Sequence, residues 1–134
     1  MKSLEVAIYT ALSTDTALVA KVPGGIYNTV APAAPSGPYL VFTLVASVPA
    51  YSIGAKVYEE YRYQFGVHAR ASTPITICET VDALETLLDR KALTVTGETF
   101  WLCEKVSDNP RLAAEVDGAL WISGGTDFRF IMGA

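Results

Sequence analysis

The fold is decided by Ala31-Pro32-Ala33-Ala34-Pro35-Ser36-Gly37-Pro38, which leads into Tyr39-Leu40-Val41-Phe42-Thr43-Leu44-Val45, and by the later stretch Tyr61-Arg62-Tyr63-Gln64-Phe65-Gly66-Val67-His68-Ala69-Arg70. Prolines are expected to keep the chain extended and exposed, as a loop, from Ile26 to Pro38, the end of the first segment. The second is dense in β-branched and aromatic residues with apolar groups on both faces, which predicts a buried central strand that reaches Val48 and ends at Pro49. The third alternates apolar and polar residues, which predicts an antiparallel strand with one buried face.

Two helices are predicted before this stretch and one after it. Apolar residues at helical spacing predict the first, with Ser3 as its N-cap, and Asp15 is expected to cap a short second helix. Thr73, as an N-cap followed by proline, predicts the start of a longer helix that runs to about Asp89. The apolar stripe of this longer helix consists of Ile77, Val81, Leu84 and Leu88.

Two more strands are predicted in the C-terminal third. One spans Leu93 to Val106, and the other spans Ala119 to Met132 with a bend at Gly124-Gly125. Asn109-Pro110 and Asp117-Gly118 bracket a polar loop between them. The order helix, helix, strand, strand, helix, strand, strand predicts an α+β fold, with a largely antiparallel four-stranded sheet and helices packed on one face.

Length and charge limit the class of protein. The 134 residues suffice for a single domain, 1–134, with one core. The formal charge of −4 and the scattered basic residues argue against a nucleic-acid-binding protein, whose affinity comes from Lys and Arg that neutralise phosphates. Glu5 interrupts the segment where a signal peptide needs its apolar core, and no apolar run reaches the ~20 residues that span a bilayer. We therefore expect no membrane partner.

The residues form no recognisable catalytic constellation. His68 is the only histidine, and it lies on the polar face of its strand beside Arg62 and Arg70, which favours a surface or interface role over that of a base or metal ligand. Cys78 and Cys103 have no activating base at a recognisable spacing. They predict buried free thiols in a reducing compartment, with a single disulfide as the alternative. We predict no catalytic residue, no metal site and no cofactor.

Two surfaces are candidates for assembly. The aromatic residues Tyr51, Tyr58, Trp101 and Trp121 belong to a set larger than one small sheet must bury, and aromatic residues are enriched in interface cores. The alternative is that each of them packs in the core. Carboxylates line one flank of the helix that follows Thr73, at Glu79, Asp82, Glu85 and Asp89. This acidic flank is either a solvated surface or one that repels a polyanion, such as the wall of a channel for DNA.

The N-terminal segment resembles the start of the tail-completion, or tail-terminator, family of long-tailed bacteriophages and related gene-transfer particles: Leu4-Glu5-Val6-Ala7-Ile8-Tyr9-Thr10-Ala11-Leu12-Ser13-Thr14-Asp15-Thr16-Ala17-Leu18. Further segments are similar to the family's loop and first strand (Gly25-Ile26-Tyr27, Ala31-Pro32, Pro38-Tyr39-Leu40-Val41-Phe42), its second strand (Tyr61 to Arg70), its helix (Val81-Asp82-Ala83-Leu84) and its last strand (Asp127-Phe128-Arg129-Phe130). The resemblance covers nearly the full chain.

The resemblance implies a structural protein of the virion tail or neck, which is in the host cytoplasm during assembly. Family members form a ring, commonly a hexamer, that caps the tail tube, ends its polymerisation and presents a docking surface to a head-side connector or stopper protein. Genome DNA passes through the ring without specific binding. The implied partners are other copies of the chain, the tail-tube protein and the connector. The acidic flank would then face the lumen.

The proline-rich segment becomes a candidate contact with a neighbouring subunit if the protein works by assembly. Ile26, Tyr27, Pro32 and Pro35 mark this segment, and an extended backbone that is already formed loses little entropy on docking. Two other readings stay open. One is another neck component, such as a head-closure or connector protein. The other, less favoured, is a small cytosolic ligand-binding domain or enzyme, which would need a pocket with convergent polar groups.

Overall fold

The computed structural model describes residues 2–31, 37–70, 74–116 and 118–133. Within these ranges the chain forms three helices, α1 (Lys2–Ser13), α2 (Thr16–Lys21) and α3 (Ile75–Leu88). The same ranges contain five strands, β1 (Ile26–Asn28), β2 (Tyr39–Ser52), β3 (Ala55–Arg70), β4 (Thr99–Val116) and β5 (Ala119–Gly133). The α+β class is therefore confirmed.

The strands form one mixed sheet in the order β1-β2-β3-β5-β4, in which β1 runs parallel to β2 and all other pairs are antiparallel. The predicted four-stranded sheet lacked β1, because the segment after Gly25 was expected to be an extended loop. The backbone of that segment is instead paired: Leu40 N donates to Gly25 O at 3.0 Å, and Thr29 N donates to Phe42 O at 2.9 Å. A three-residue strand is too short for a periodic pattern to reveal it.

The core lies between the helices and one face of the sheet. The alternation predicted for β3 is confirmed, since Tyr61, Tyr63, Phe65, Val67 and Ala69 are all buried. They share one cluster with buried residues from all three helices and from β5, so the helices pack on the same face. Ring contacts across the strands hold this layer together, with Phe65 and Phe128 centroids 5.5 Å apart in an edge arrangement.

The first hairpin is longer than predicted. β2 continues through Pro49, which faces Glu59 across the ladder, and β3 begins at Ala55 rather than at Tyr61. The prediction that Pro49 ends the strand is wrong because β1 covers β2 only as far as Phe42, and beyond it β2 is an edge, where a missing N–H is tolerated. β2 is also not the buried central strand, since only Leu40 and Phe42 in it are fully buried.

The second hairpin also differs from the prediction. The polar loop expected after Asn109-Pro110 is wrong, because β4 runs on through Pro110 to Val116 and pairs with β5. Pro110 is tolerated because β4 is the last strand in the sheet order, and its ladder is irregular between Asn109 and Leu112. Residues 91–95 are not a strand, and β4 begins only at Thr99.

The helix ends follow the sequence in part. The Asp15 carboxylate caps α2 by accepting from Ala17 N at 3.0 Å, as predicted. Ser3 is not an N-cap, because α1 already includes Lys2. The predicted cap Thr73 lies outside the described residues. α3 ends at Leu88, one residue before the predicted end.

Candidate assembly surfaces

The face of the sheet opposite the helices carries a shallow open groove of about 490 Å³. It runs across β2, β3, β5 and β4, and Tyr39, Val41, Gly66, His68, Asn109 and Leu112 are among its lining residues. Gly66 lies in the middle, because β3 is the central strand of the sheet. We call this feature the open groove. It is the polar side of β3 that the sequence alternation predicted.

An aromatic cluster forms one end of the open groove. The rings of Tyr39 and His68 are stacked, with centroids 4.7 Å apart and planes 12° from parallel. The ring centroid of Trp121 lies 5.9 Å from that of Tyr39, and the ring centroid of Tyr27 lies 6.3 Å from that of Tyr39. The guanidinium carbon of Arg70 lies 5.5 Å from the centroid of the Trp121 ring. Burial lowers the pKa of the His68 imidazole and raises the pKa of the Tyr39 hydroxyl. This histidine is thus part of a stacked platform.

The opposite end of the sheet carries an exposed apolar surface, which we call the hairpin tip (residues 48–55). Its turn is at Ile53-Gly54, as predicted, and Gly54 has a φ of 80° that favours glycine. Ile53 is fully exposed, and Tyr51 is 70% exposed. The tip extends past the end of β5, because the ladder between β3 and β5 ends with Tyr58 opposite Gly133. Exposed apolar side chains that are gathered in one place are typical of a contact site.

The predicted interface residues fall into two groups. Tyr27 and Trp121 belong to the aromatic cluster, whereas Tyr51, Tyr58 and Trp101 lie at the hairpin end, where the Tyr58 and Trp101 rings are 5.8 Å apart. The two groups are separated along β3 by roughly 40 Å, at about 3.3 Å per residue. Ile26 packs against the core, and Pro32 and Pro35 lie outside the described residues.

Sequence reasoning missed two residues of these surfaces, Ile53 and Gly66, and one ring contact, that between Tyr39 and His68. Ile53 stands in a turn that was recognised, and an isoleucine where turns prefer polar residues was a signal for an exposed contact. Gly66 interrupts a strand of larger residues, which was a signal for a close approach. The stacking of Tyr39 on His68 depends on strand register, which the sequence does not state.

The acidic flank of α3 is partly neutralised by basic groups of the same chain. Glu79 pairs with Lys21 at 3.5 Å, and Glu85 forms an ion pair with Lys105. The Asp89 carboxylate accepts from Lys105 N at 3.0 Å. Asp82 is exposed on the same helix. The flank therefore presents less net negative charge than its four carboxylates imply.

The thiols differ from the prediction in one respect. Both are free, and Cys103 is buried, which raises its pKa to about 12 and keeps the thiol protonated. Cys78 is exposed rather than buried, and the guanidinium of Arg111 contacts its Sγ atom. In the described part of the chain, no three His, Cys, Asp or Glu side chains are grouped so as to hold a metal ion. The described helices also include none long and apolar enough to cross a membrane.

Comparison with known proteins identifies the family. A model of the family described as tail completion protein gp17 matches residues 6–121. The chain belongs to this family. The resemblance noted in the sequence is therefore confirmed, and membership assigns the chain a structural role in a phage tail. It also favours a structural protein over the enzyme alternative. No curated protein sequence matches the chain.

Solved structures share the fold of this tail-completion protein. A chain from the virion of a native gene transfer agent particle superposes with a TM-score of 0.76 at 18% identity, and the match covers 98% of this chain and 95% of the other. A second solved chain gives a TM-score of 0.57 at 16% identity, with 96% and 94% covered. At such low identity, the likeness supports the fold.

Proposed function

We propose that the protein is a subunit of a ring, with a hexamer as the expected form, that caps the tail tube, ends its polymerisation and docks the tail to a head-side connector or stopper protein. The observation that carries this proposal is the family match over residues 6–121. Each subunit is one domain, 1–134. It works in the tail or neck of the virion and is present in the host cytoplasm during assembly.

The distribution of half-buried and exposed aromatic and apolar side chains supports a ring subunit. A closed ring with cyclic symmetry needs two different patches on each subunit, because the front of one copy contacts the back of the next. The half-buried aromatic cluster with Tyr39 and Trp121 and the exposed hairpin tip with Tyr51 and Ile53 are candidates for these two patches, at opposite ends of the sheet. Aromatic side chains of this kind are enriched in interface cores.

The acidic flank fits a wall of the lumen. A surface that lets DNA pass must not bind phosphate, and carboxylates repel it. The basic side chains beside the flank are neutralised, because Lys21 pairs with Glu79 and Lys105 pairs with Glu85. The Asp89 carboxylate accepts a hydrogen bond from the backbone N–H of Lys105. Glu79 and Asp82 are the exposed carboxylates of the flank, and because Glu79 is paired with Lys21, Asp82 is the one expected to face DNA. Localising this helix in an assembled particle tests the placement, since an outward-facing Asp82 would contradict it.

Native mass spectrometry of the purified protein, alone and with the tail-tube protein of the same particle, tests the ring. We expect a single closed oligomer, and negative-stain microscopy should show rings with a central opening. Tubes assembled in its presence should be shorter than tubes assembled without it. A strict monomer under both conditions would refute the proposal.

The second candidate is another neck component, such as a head-closure or connector protein. The exposed aromatic surfaces favour assembly but do not select the partner. Binding assays distinguish the two functions. A terminator binds the end of the tail tube directly, whereas a head-closure protein binds the portal or connector and leaves tube length unchanged.

A further inference from the structure

Gly66 lies in the floor of the open groove, and no contact with the described part of the subunit requires a glycine there. A Cβ atom built there would lie 3.5 Å from His68 Nε2 and 3.7 Å from Val41 O, both ordinary van der Waals distances. Its partner across the ladder is different, because a Cβ on Gly125 would lie 1.8 Å from Phe65 O. A glycine weakens a strand, and one that the subunit does not need marks a place where another chain approaches closely.

The rim of the open groove is strained. Thr29 has a φ of 68°, a left-handed conformation that a β-branched residue rarely adopts. Its N–H donates to Phe42 O at 2.9 Å, which fixes the strained residue to β2 and leaves Val30 exposed beside the groove. Backbone strain of this kind concentrates at binding sites, where the surrounding structure maintains it.

In the part of the chain that is described, the open groove and the hairpin tip are both without charged side chains. The described residues that line the groove include no Asp, Glu, Lys or Arg. The tip, Val48-Pro49-Ala50-Tyr51-Ser52-Ile53-Gly54-Ala55, has none either. The charged side chains that follow the tip in β3, Lys56 and Glu59, are paired with each other, with Lys56 Nζ 3.0 Å from Glu59 Oε1. Bringing the two surfaces together would bury apolar area and cover no charged lining residue, and the carboxylate beside the groove, Asp127, already accepts from Asn109 Nδ2 at 3.1 Å.

We propose that the hairpin tip of one subunit inserts into the open groove of a second copy, with Tyr51 and Ile53 over Gly66. The two surfaces lie toward opposite ends of β3, which suits a head-to-tail contact, and such a contact builds a ring when the rotation between copies closes. This contact rests on the proposed ring function and names the surfaces that build the ring. Other occupants of the groove are outcomes of the tests below.

Cross-linking tests the contact directly. In a Cys78→Ser background, the double variant Ile53→Cys with Ser123→Cys places one thiol on the tip and one in the groove, while Cys103 stays buried. A short bismaleimide should then join the subunits covalently into a ladder that ends at the full ring. The matched control, Ile53→Cys with Thr86→Cys on the exposed surface of α3, should give no ladder.

Complementation gives a second test. Ile53→Asp damages only the tip and Gly66→Val only the groove, so each variant alone should lose at least ~90% of its rings while circular dichroism and thermal unfolding confirm that it folds. An equimolar mixture should form dimers and nothing larger, because one variant keeps an intact groove and the other an intact tip. Both variants at wild-type ring yield would overturn the contact.

The outcomes separate the two proposals. Rings that form without the specific cross-link, or that bind another neck protein in the groove, overturn the tip-in-groove contact and leave the ring function standing. A wild-type protein that stays monomeric alone and with tail-tube protein overturns both. A ladder in the tip-and-groove variant, absent from the Thr86→Cys control, supports both.

Discussion

The two faces of β3 are built differently. On one face Tyr63, Phe65 and Val67 are fully buried against the helices, and the rings of Tyr63 and Phe65 pack on Phe130 and Phe128 of β5. On the other face Gln64, Gly66 and His68 line an open groove with a glycine at its centre. A single strand thus has one face fully covered by the helices and one face that no other part of the described chain covers. The covered face accounts for folding, and the open face is available for assembly.

The comparison predicts where stability comes from. Burial of large apolar side chains is the main favourable term in folding, so substitutions on the covered face should unfold the subunit. Substitutions on the open face should leave the subunit folded, and some should stabilise it. The predictions below follow this order, from the face that holds the subunit together to the face that we propose meets a neighbour.

Phe65→Ala should have the largest effect. Its ring is fully buried and contacts the rings of Phe42, Phe128 and Phe130, so truncation removes apolar burial and leaves a cavity that costs about 3 to 5 kcal/mol. Urea unfolding followed by circular dichroism measures the loss. The control is Gln64→Ala on the open face, where we expect a change within ~0.5 kcal/mol. Equal losses for the two variants would contradict the distinction between the faces.

Gly125→Ala should be the next most damaging change, although it removes no side chain. The added Cβ would meet the carbonyl oxygen of Phe65, which belongs to the neighbouring strand and cannot rotate away, and the φ of 157° strains any other residue. We expect a loss of roughly 2 to 4 kcal/mol, since backbone strain costs on the order of 1–3 kcal/mol before the displacement of β3 is added. Thermal unfolding measures it, and a wild-type melting temperature would show that the two strands can separate at little cost.

The faces of β3 also explain how much of the fold could be read from the sequence. The strict alternation of β3 and the apolar stripe of α3 predicted both the buried residues and the α+β class. One buried face imposes a period that is visible in the order of apolar and polar residues. Pro49 and Pro110 misled the prediction, since proline ends a strand only where its N–H would have been paired, and both occupy edges. Edge position is a property of the whole sheet that local sequence does not carry.

The sequence indicated which types of residue form the candidate surfaces, but it did not indicate where on the sheet they lie. Tyr51 and Trp101 are exposed, as an assembly interface requires, and Tyr27 and Trp121 were named with them. Their division between two ends of the sheet follows from the pairing of β3 with β5, which joins residues distant in sequence. The carboxylates of α3 were read as one acidic flank because their lysine partners come from α2 and β4.

Gly66→Ala should stabilise the subunit, in contrast to Gly125→Ala. The added methyl group meets only ordinary contacts, and replacing a glycine by alanine within a strand gains roughly 0.5 to 1 kcal/mol by restricting the unfolded chain. Urea unfolding of the two alanine variants side by side makes the comparison. A destabilised Gly66→Ala would mean that the subunit itself needs this glycine, which would remove the argument that the groove is kept clear for a neighbour.

The smallest expected effect is a pH dependence that comes from His68. Its imidazole is stacked on Tyr39, and burial lowers its pKa below the ordinary value of ~6.5, so the folded subunit favours the neutral ring. The unfolded chain takes up a proton first as pH falls. This histidine therefore contributes stability that is fully present above ~pH 6.5, decreases below it, and stops changing once the pH passes the lower pKa of the folded state.

The free energy of unfolding of wild type, compared with that of His68→Gln between about pH 8 and pH 5, isolates this contribution, because the chain has no other histidine and the carboxylates titrate alike in both proteins. The difference should shrink or reverse in sign toward acid pH. A neighbouring subunit seated over the stacked pair would bury the imidazole further and steepen the same dependence in the ring. Parallel pH profiles for the two proteins would place His68 in open solvent and weaken the case that its face is prepared for contact.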